Sequence, residues 1–223
     1  MKKGLTELVF VVDKSGSMCG LEADTVGGLN ATLQKNRGLP GEANVSIVFF
    51  DNLSEVIMDR IPLTEVRDLT KDDYCVGGCT ALLDAVGDAV RYHIKVQGIL
   101  PEDYRAEHVV FVIITDGMEN ASTHRNYDEV KRLIERQRAR GWEFLFLGAN
   151  IDAAQEASRM GIAPDRASEY VSDGRGSSIA YGAVARAQCE TRLTGQPSAD
   201  WCAAPMADAA SRGPRKARKW PRH

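Results

Sequence analysis

Val11-Val12-Asp13-Lys14-Ser15-Gly16-Ser17-Met18 carries an apolar, β-branched run straight into a polar turn. In near-extended backbone, positions i, i+2 and i+4 project to one side, so Asp13, Ser15 and Ser17 can aim three oxygens at one point. Gly16 relaxes the bend between them. Taken alone, the turn also reads as an ordinary Asx/Ser-rich connection, which these residues favour for local reasons.

Two further segments repeat the pattern. In Phe111-Val112-Ile113-Ile114-Thr115-Asp116-Gly117, Asp116 is the first acidic residue after an apolar run. Ligands of open α/β sheets collect at the carboxyl ends of strands where the winding direction reverses, so neighbouring Asp13 and Asp116 strands would turn both carboxylates to one crevice. Thr80, in Val76-Gly77-Gly78-Cys79-Thr80-Ala81, follows a double-glycine turn and precedes a helical pattern. An N-cap is its local reading, and a hydroxyl ligand on a movable loop its functional one.

Outward from these motifs, apolar runs alternate with helix-period segments, which gives a mostly parallel sheet with helical crossovers. Strands are expected at 7–12, 43–50, 56–61, 108–115, 142–147 and 167–171, and helices at 25–36, 81–95, 127–140, 153–160 and 177–193. The strands starting at 7, 43, 108 and 142 are apolar on both faces, as central strands are. Only 51–55 separates the second strand from the third, too little for a crossover, so these pair as an antiparallel hairpin at the sheet edge. Gly141 and Gly161 stand where helices should end.

The composition, 43% hydrophobic and 26% charged over 223 residues, suits one soluble domain with a full core. We assign it to residues 1–195. Residues 196–223 contain Pro197, Pro205, Pro214 and Pro221 and six Lys or Arg against two Asp, and are expected to be a flexible basic extension. Their net +4 leaves −7 of the overall −3 on the body. An acidic body disfavours specific nucleic-acid binding, and the tail alone offers a salt-sensitive phosphate contact.

No segment approaches the roughly 18 apolar residues of a membrane span, and Glu7 and Asp13 interrupt any leader-like apolar core. The expectation is a cytoplasmic protein away from membranes. Five cysteines in no disulfide or zinc spacing read as reduced thiols, although Cys19, Cys75 and Cys79 fall on loops bordering the predicted site. Of the histidines, His124 alone could approach that site, and it reads as a solvent-facing loop residue. Asp51, Asn150 and Asp152 could line the same rim, Asp152 also serving as a helix cap.

Two carboxylates and three hydroxyls form a donor set for a hard cation that prefers oxygen and retains water. Mg2+ fits best, with Mn2+ and Ca2+ as alternatives of similar chemistry. The combination resembles the von Willebrand factor type A (VWA) domain and its metal-ion-dependent adhesion site. Asp13-Lys14-Ser15-Gly16-Ser17 matches the family's D-x-S-x-S, Thr80 its loop threonine, and Asp116-Gly117 its late Asp-Gly; residues 5–194 follow its element order.

The resemblance implies a doubly wound, Rossmann-like sheet of about six strands with one antiparallel edge. It implies that Ser15, Ser17 and Thr80 coordinate the metal, that Asp13 and Asp116 often act through water, and that a partner's Glu or Asp completes the shell. It further implies a binding role rather than an enzymatic one, in a small free-standing prokaryotic protein working with an ATPase, kinase or phosphatase system. The alternative is a metal-dependent enzyme for phosphoryl transfer or hydrolysis. Its signatures are missing: Ser15 and Cys19 stand where a nucleophile elbow around Ser17 needs glycines, the chain has no G-x-x-x-x-G-K-[ST] loop, and Ser15 replaces the second carboxylate of a D-x-D motif.

Overall fold

The computed structural model describes residues 1–212. Six strands, β1 (Lys2–Asp13), β2 (Glu42–Phe50), β3 (Ser54–Pro62), β4 (Ala106–Thr115), β5 (Glu143–Ala149) and β6 (Ala167–Tyr170), form one sheet in the order β3-β2-β1-β4-β5-β6. All neighbours are parallel except β2 and β3, the expected hairpin at the edge. The helices are α1 (Glu22–Arg37), α2 (Leu82–Ile99), α3 (Tyr127–Arg138), α4 (Ala153–Arg159), α5 (Gly174–Thr194) and α6 (Ala203–Arg212).

The strands are apolar throughout because both faces are covered. Leu8, Phe10 and Val12 of β1 join Leu29 and Leu33 of α1 and Val184 of α5 in one core, while Val9 and Val11 join Val86 and Val90 of α2 and Ile134 of α3 in the other. Burial of each such side chain contributes on the order of 2 kcal/mol. α1 and α5 pack closely because Gly28 lies against the Tyr181 ring, where a Cβ would come within 2.2 Å of Cδ2.

The edge hairpin contains a bulge. Between the pairs Ile47–Met58 and Val45–Ile61, β3 has one residue more than β2, and Arg60 takes a left-handed φ of 50°. Its amide donates to Ser46 Oγ, and its guanidinium reaches the fully buried Glu7 carboxylate at 2.8 Å. Glu7 Oε1 also accepts from Asn44, so one oxygen of this buried charge is paired and hydrogen-bonded, while Oε2 is buried without a hydrogen-bond partner.

The expectation of a flexible extension from residue 196 is corrected over 196–212. Trp201 is 1% exposed and its indole N–H donates to the Asp165 carbonyl. α6 then packs on α5 and β6, with buried Asp208 held by Arg212 and Arg175, and Arg212 also bonded to Asp173. Pro205 sits in the first turn of α6, where a missing amide breaks no helical bond. Most of the basic residues of that expectation lie in 213–223, outside the described residues.

Candidate metal centre

β1 and β4 are neighbours, with Val12 opposite Ile114, and the chain winds outward from them in opposite directions. Their carboxyl ends therefore make the crevice where Asp13 and Asp116 emerge side by side. Ser15 and Ser17 follow Asp13 in a turn that its carboxylate organises by accepting the Ser15 amide at 2.7 Å.

The third segment, leading into α2, is fastened across this turn. Gly16 N–H donates to the Gly78 carbonyl and Gly77 N–H to the Lys14 carbonyl. Thr80 Oγ1 thereby comes 3.0 Å from Ser15 Oγ, which lies 3.1 Å from Ser17 Oγ. Gly117 closes the cluster from the β4 side, where an added Cβ would stand 3.0 Å from Thr80 Oγ1, 3.2 Å from Ser17 Oγ and 3.8 Å from Asp13 Oδ2.

Asp13 is fully buried and Asp116 is 5% exposed, while Ser17 faces solvent. Burial raises the Asp13 carboxyl above its usual range, against hydrogen bonds from Ser15 and Thr115 that pull it back. Asp116 is pushed up to about 6, chiefly by burial and further by Asp13, with the Ser17 hydroxyl offsetting part of the rise. Asp116 Oδ1 is buried without a hydrogen-bond partner. Two buried carboxylates, an unpartnered oxygen and three converging hydroxyls fit a small hard cation, because positive charge there would favour both ionised forms.

No protein-family profile matches the chain, and no curated protein matches it. Solved structures do. The open pilus adhesin SpaC of Lactobacillus rhamnosus GG aligns with a TM-score of 0.62 at 14% identity, over 86% of this chain and 30% of that one. Proximal thread matrix protein 1 of the mussel byssus, in a structure with a zinc-occupied MIDAS motif, gives 0.56 at 16% identity, over 84% of this chain and 46% of that one. A von Willebrand factor type A structure from Catenulispora acidiphila gives 0.55 at 15% identity, over 84% and 43%.

The fold is that of a von Willebrand factor type A domain. The chain spans less than half the length of each of these structures.

Within this type A fold, all five expected residues lie on the same crevice, but their supports differ from expectation. Thr80 is not an N-cap: α2 starts at Leu82, Ala81 precedes it, and no side chain caps it. Nor does Thr80 sit on a loose loop, since its amide donates to Asn120 Oδ1 and its carbonyl accepts from the amides of Asn120 and Ala121. Asp152 caps α4 by accepting from Gln155, and His124 is exposed, as expected.

Several supporting residues carry no local sequence signal. Thr115 donates to Asp13 Oδ2 at 2.6 Å, and the Tyr74 hydroxyl donates to the Asp13 carbonyl. Glu119 accepts from the amides of Leu83, Ala121 and Ser122 and from the Ser122 hydroxyl. Asp84 on α2 accepts the amides of Thr123, His124 and Arg125, tying the segment after Asp116 to that helix. Among the described residues no group of three or more His, Cys, Asp or Glu is placed to hold a metal, and Cys19, Cys75 and Cys79 are free and exposed.

Proposed function

We propose that Asp13, Ser15, Ser17, Thr80 and Asp116 hold one divalent cation, Mg2+ by its chemistry, and that the chain is a protein-interaction module recognising an acidic residue of a partner. The observation that carries this reading is the buried, unpartnered Asp116 Oδ1 beside three hydroxyls linked through Ser15, which bonds to both Ser17 and Thr80. When bound, the cation would supply a Lewis-acidic position that accepts a partner's carboxylate. The hydroxyls contribute no charge, so two carboxylates leave the centre attractive to an anion.

The neutral donors are pre-organised: the Asp13 carboxylate fixes the Ser15 amide, and the 120–121 amides fix the Thr80 carbonyl. Catalysis at the same centre would need a free general acid or base. The neighbouring carboxylates are committed elsewhere, Glu119 to four donors and Asp84 to three amides. This supports a binding rather than an enzymatic role.

We place the module in the cytoplasm of a prokaryote, serving an ATPase, kinase or phosphatase system. The exposed free thiols Cys19, Cys75 and Cys79 fit a reducing compartment. No helix among the described residues is long and apolar enough to cross a membrane.

The test is thermal unfolding in EDTA against Mg2+ or Mn2+. At about 100 times its Kd the metal should stabilise the fold by about 2.7 kcal/mol, which at this size raises Tm by roughly 5–10 °C. Ser15→Ala with Ser17→Ala should remove the shift, and Asp103→Ala, at the opposite end of the sheet, should keep it. Superimposable curves for the unaltered chain would end the metal reading.

A further inference from the structure

We propose that the partner carboxylate recognised at this centre is a single acid set between apolar side chains, not part of an acidic run. The inference rests on the metal reading above and specifies its partner. Four segments make the rim: 13–20, 50–56, 75–84 and 115–123. They contain six carboxylates and, as the sole basic residue, Lys14. Lys14 is already taken, its ammonium 2.8 Å from Glu55 Oε2 with only 15% of its side chain exposed. A polyacidic partner would therefore place one carboxylate on the cation and the rest against like charge, at a cost that grows with each added acid.

The same rim offers apolar anchors. Leu53 is 78% exposed and Met118 is 66% exposed. Leu53 lies in the β2–β3 turn, which is bound to the Thr80 segment through Ala81 N–H to the Asp51 carbonyl and Cys79 N–H to Asn52 Oδ1, both at 2.8 Å. Met118 follows Gly117, the residue packed against Thr80 Oγ1 and Ser17 Oγ. Because β1 runs between β2 and β4, the segments that carry the two residues flank the β1 end of the hydroxyl cluster on opposite sides. Large apolar residues held in the open around a polar centre are what a partner's aliphatic neighbours would cover, and Met adapts readily to different shapes.

The experiment measures binding of three labelled peptides to the full chain by fluorescence anisotropy, in Mg2+ and in EDTA. Each has one central Glu, flanked by Leu, by Ser or by further Glu. The Leu-flanked peptide should bind about tenfold tighter than the other two, in Mg2+ alone. In Leu53→Ser with Met118→Ser the preference should shrink to about twofold, while the Mg2+-induced Tm shift persists.

Equal Mg2+-dependent affinity for all three peptides, tighter binding of the Glu-flanked one, or no binding of any would overturn the proposal and leave the metal reading standing. So would self-association of the chain through this face that the double variant abolishes. Loss of the Mg2+ shift in the unaltered chain would remove the metal reading itself.

Discussion

The Thr115 hydroxyl donates to Asp13 Oδ2 at 2.6 Å across the β1–β4 pair, and through its oxygen it accepts the Gly117 amide at 3.1 Å. One side chain thus orients the first acidic residue of the centre and shapes the turn that carries the second. Thr115→Val keeps the shape and removes the donor from a buried carboxylate, a loss of about 2 kcal/mol. In EDTA, Tm should fall by about 4–8 °C. An unchanged melt would mean that Asp13 does not depend on this bond.

Gly117 tests the cluster from its other side. A methyl group there meets Thr80 Oγ1 at 3.0 Å and Ser17 Oγ at 3.2 Å, so in Gly117→Ala the hydroxyls must give way by a few tenths of an ångström. Overpacking of this kind should weaken Mg2+ affinity by about tenfold or more. Calorimetric titration with Mg2+ reads the effect, and an affinity equal to that of the unaltered chain would show that Gly117 does not border the bound ion.

His93 sets a pH dependence unconnected with the metal. Its Nδ1 faces the Ala89 carbonyl, which can only accept, so Nδ1 carries the proton and Nε2 accepts from Ser46 Oγ. Burial, the largest influence, lowers its pKa below the ordinary value, against opposing contributions from the Ala89 carbonyl and Glu7. The unfolded chain then binds more protons than the native one as pH falls through about 6.5. Stability from neutral His93 is present above that pH and is lost below it. The slope of urea stability between pH 7.5 and 5.5, taken as about two pH units around this value, should flatten in His93→Gln. Parallel slopes would rule His93 out.

Trp201 measures whether residues 196–212 belong to the folded unit. Trp201→Ala empties a site that is 1% exposed and removes the donor to Asp165. The cost should be about 3–5 kcal/mol, with Tm lower by on the order of 10 °C. A variant melting with the unaltered chain would return this segment to the status of an appendage.

Asp84 shows why placing a residue on an element does not settle its role. Asp84 lies in the first turn of α2, yet its side chain accepts three consecutive amides of the segment after Asp116. Nothing within a few residues of Asp84 signals partners some 40 positions away, and the same holds for Glu119 and Asn120.

The chain by itself determined the order of elements as far as α5, the antiparallel edge and the residues that converge, because periodicity, turn residues and the polar ends of apolar runs are local properties. The tertiary structure decided what holds those residues: Thr115 and Tyr74 on Asp13, Asn120 on Thr80, and Trp201 with α6 against β6 and α5. These depend on pairings between distant segments. A Pro- and Ala-rich stretch looks unstructured until Trp201 meets a site that the rest of the fold has already built.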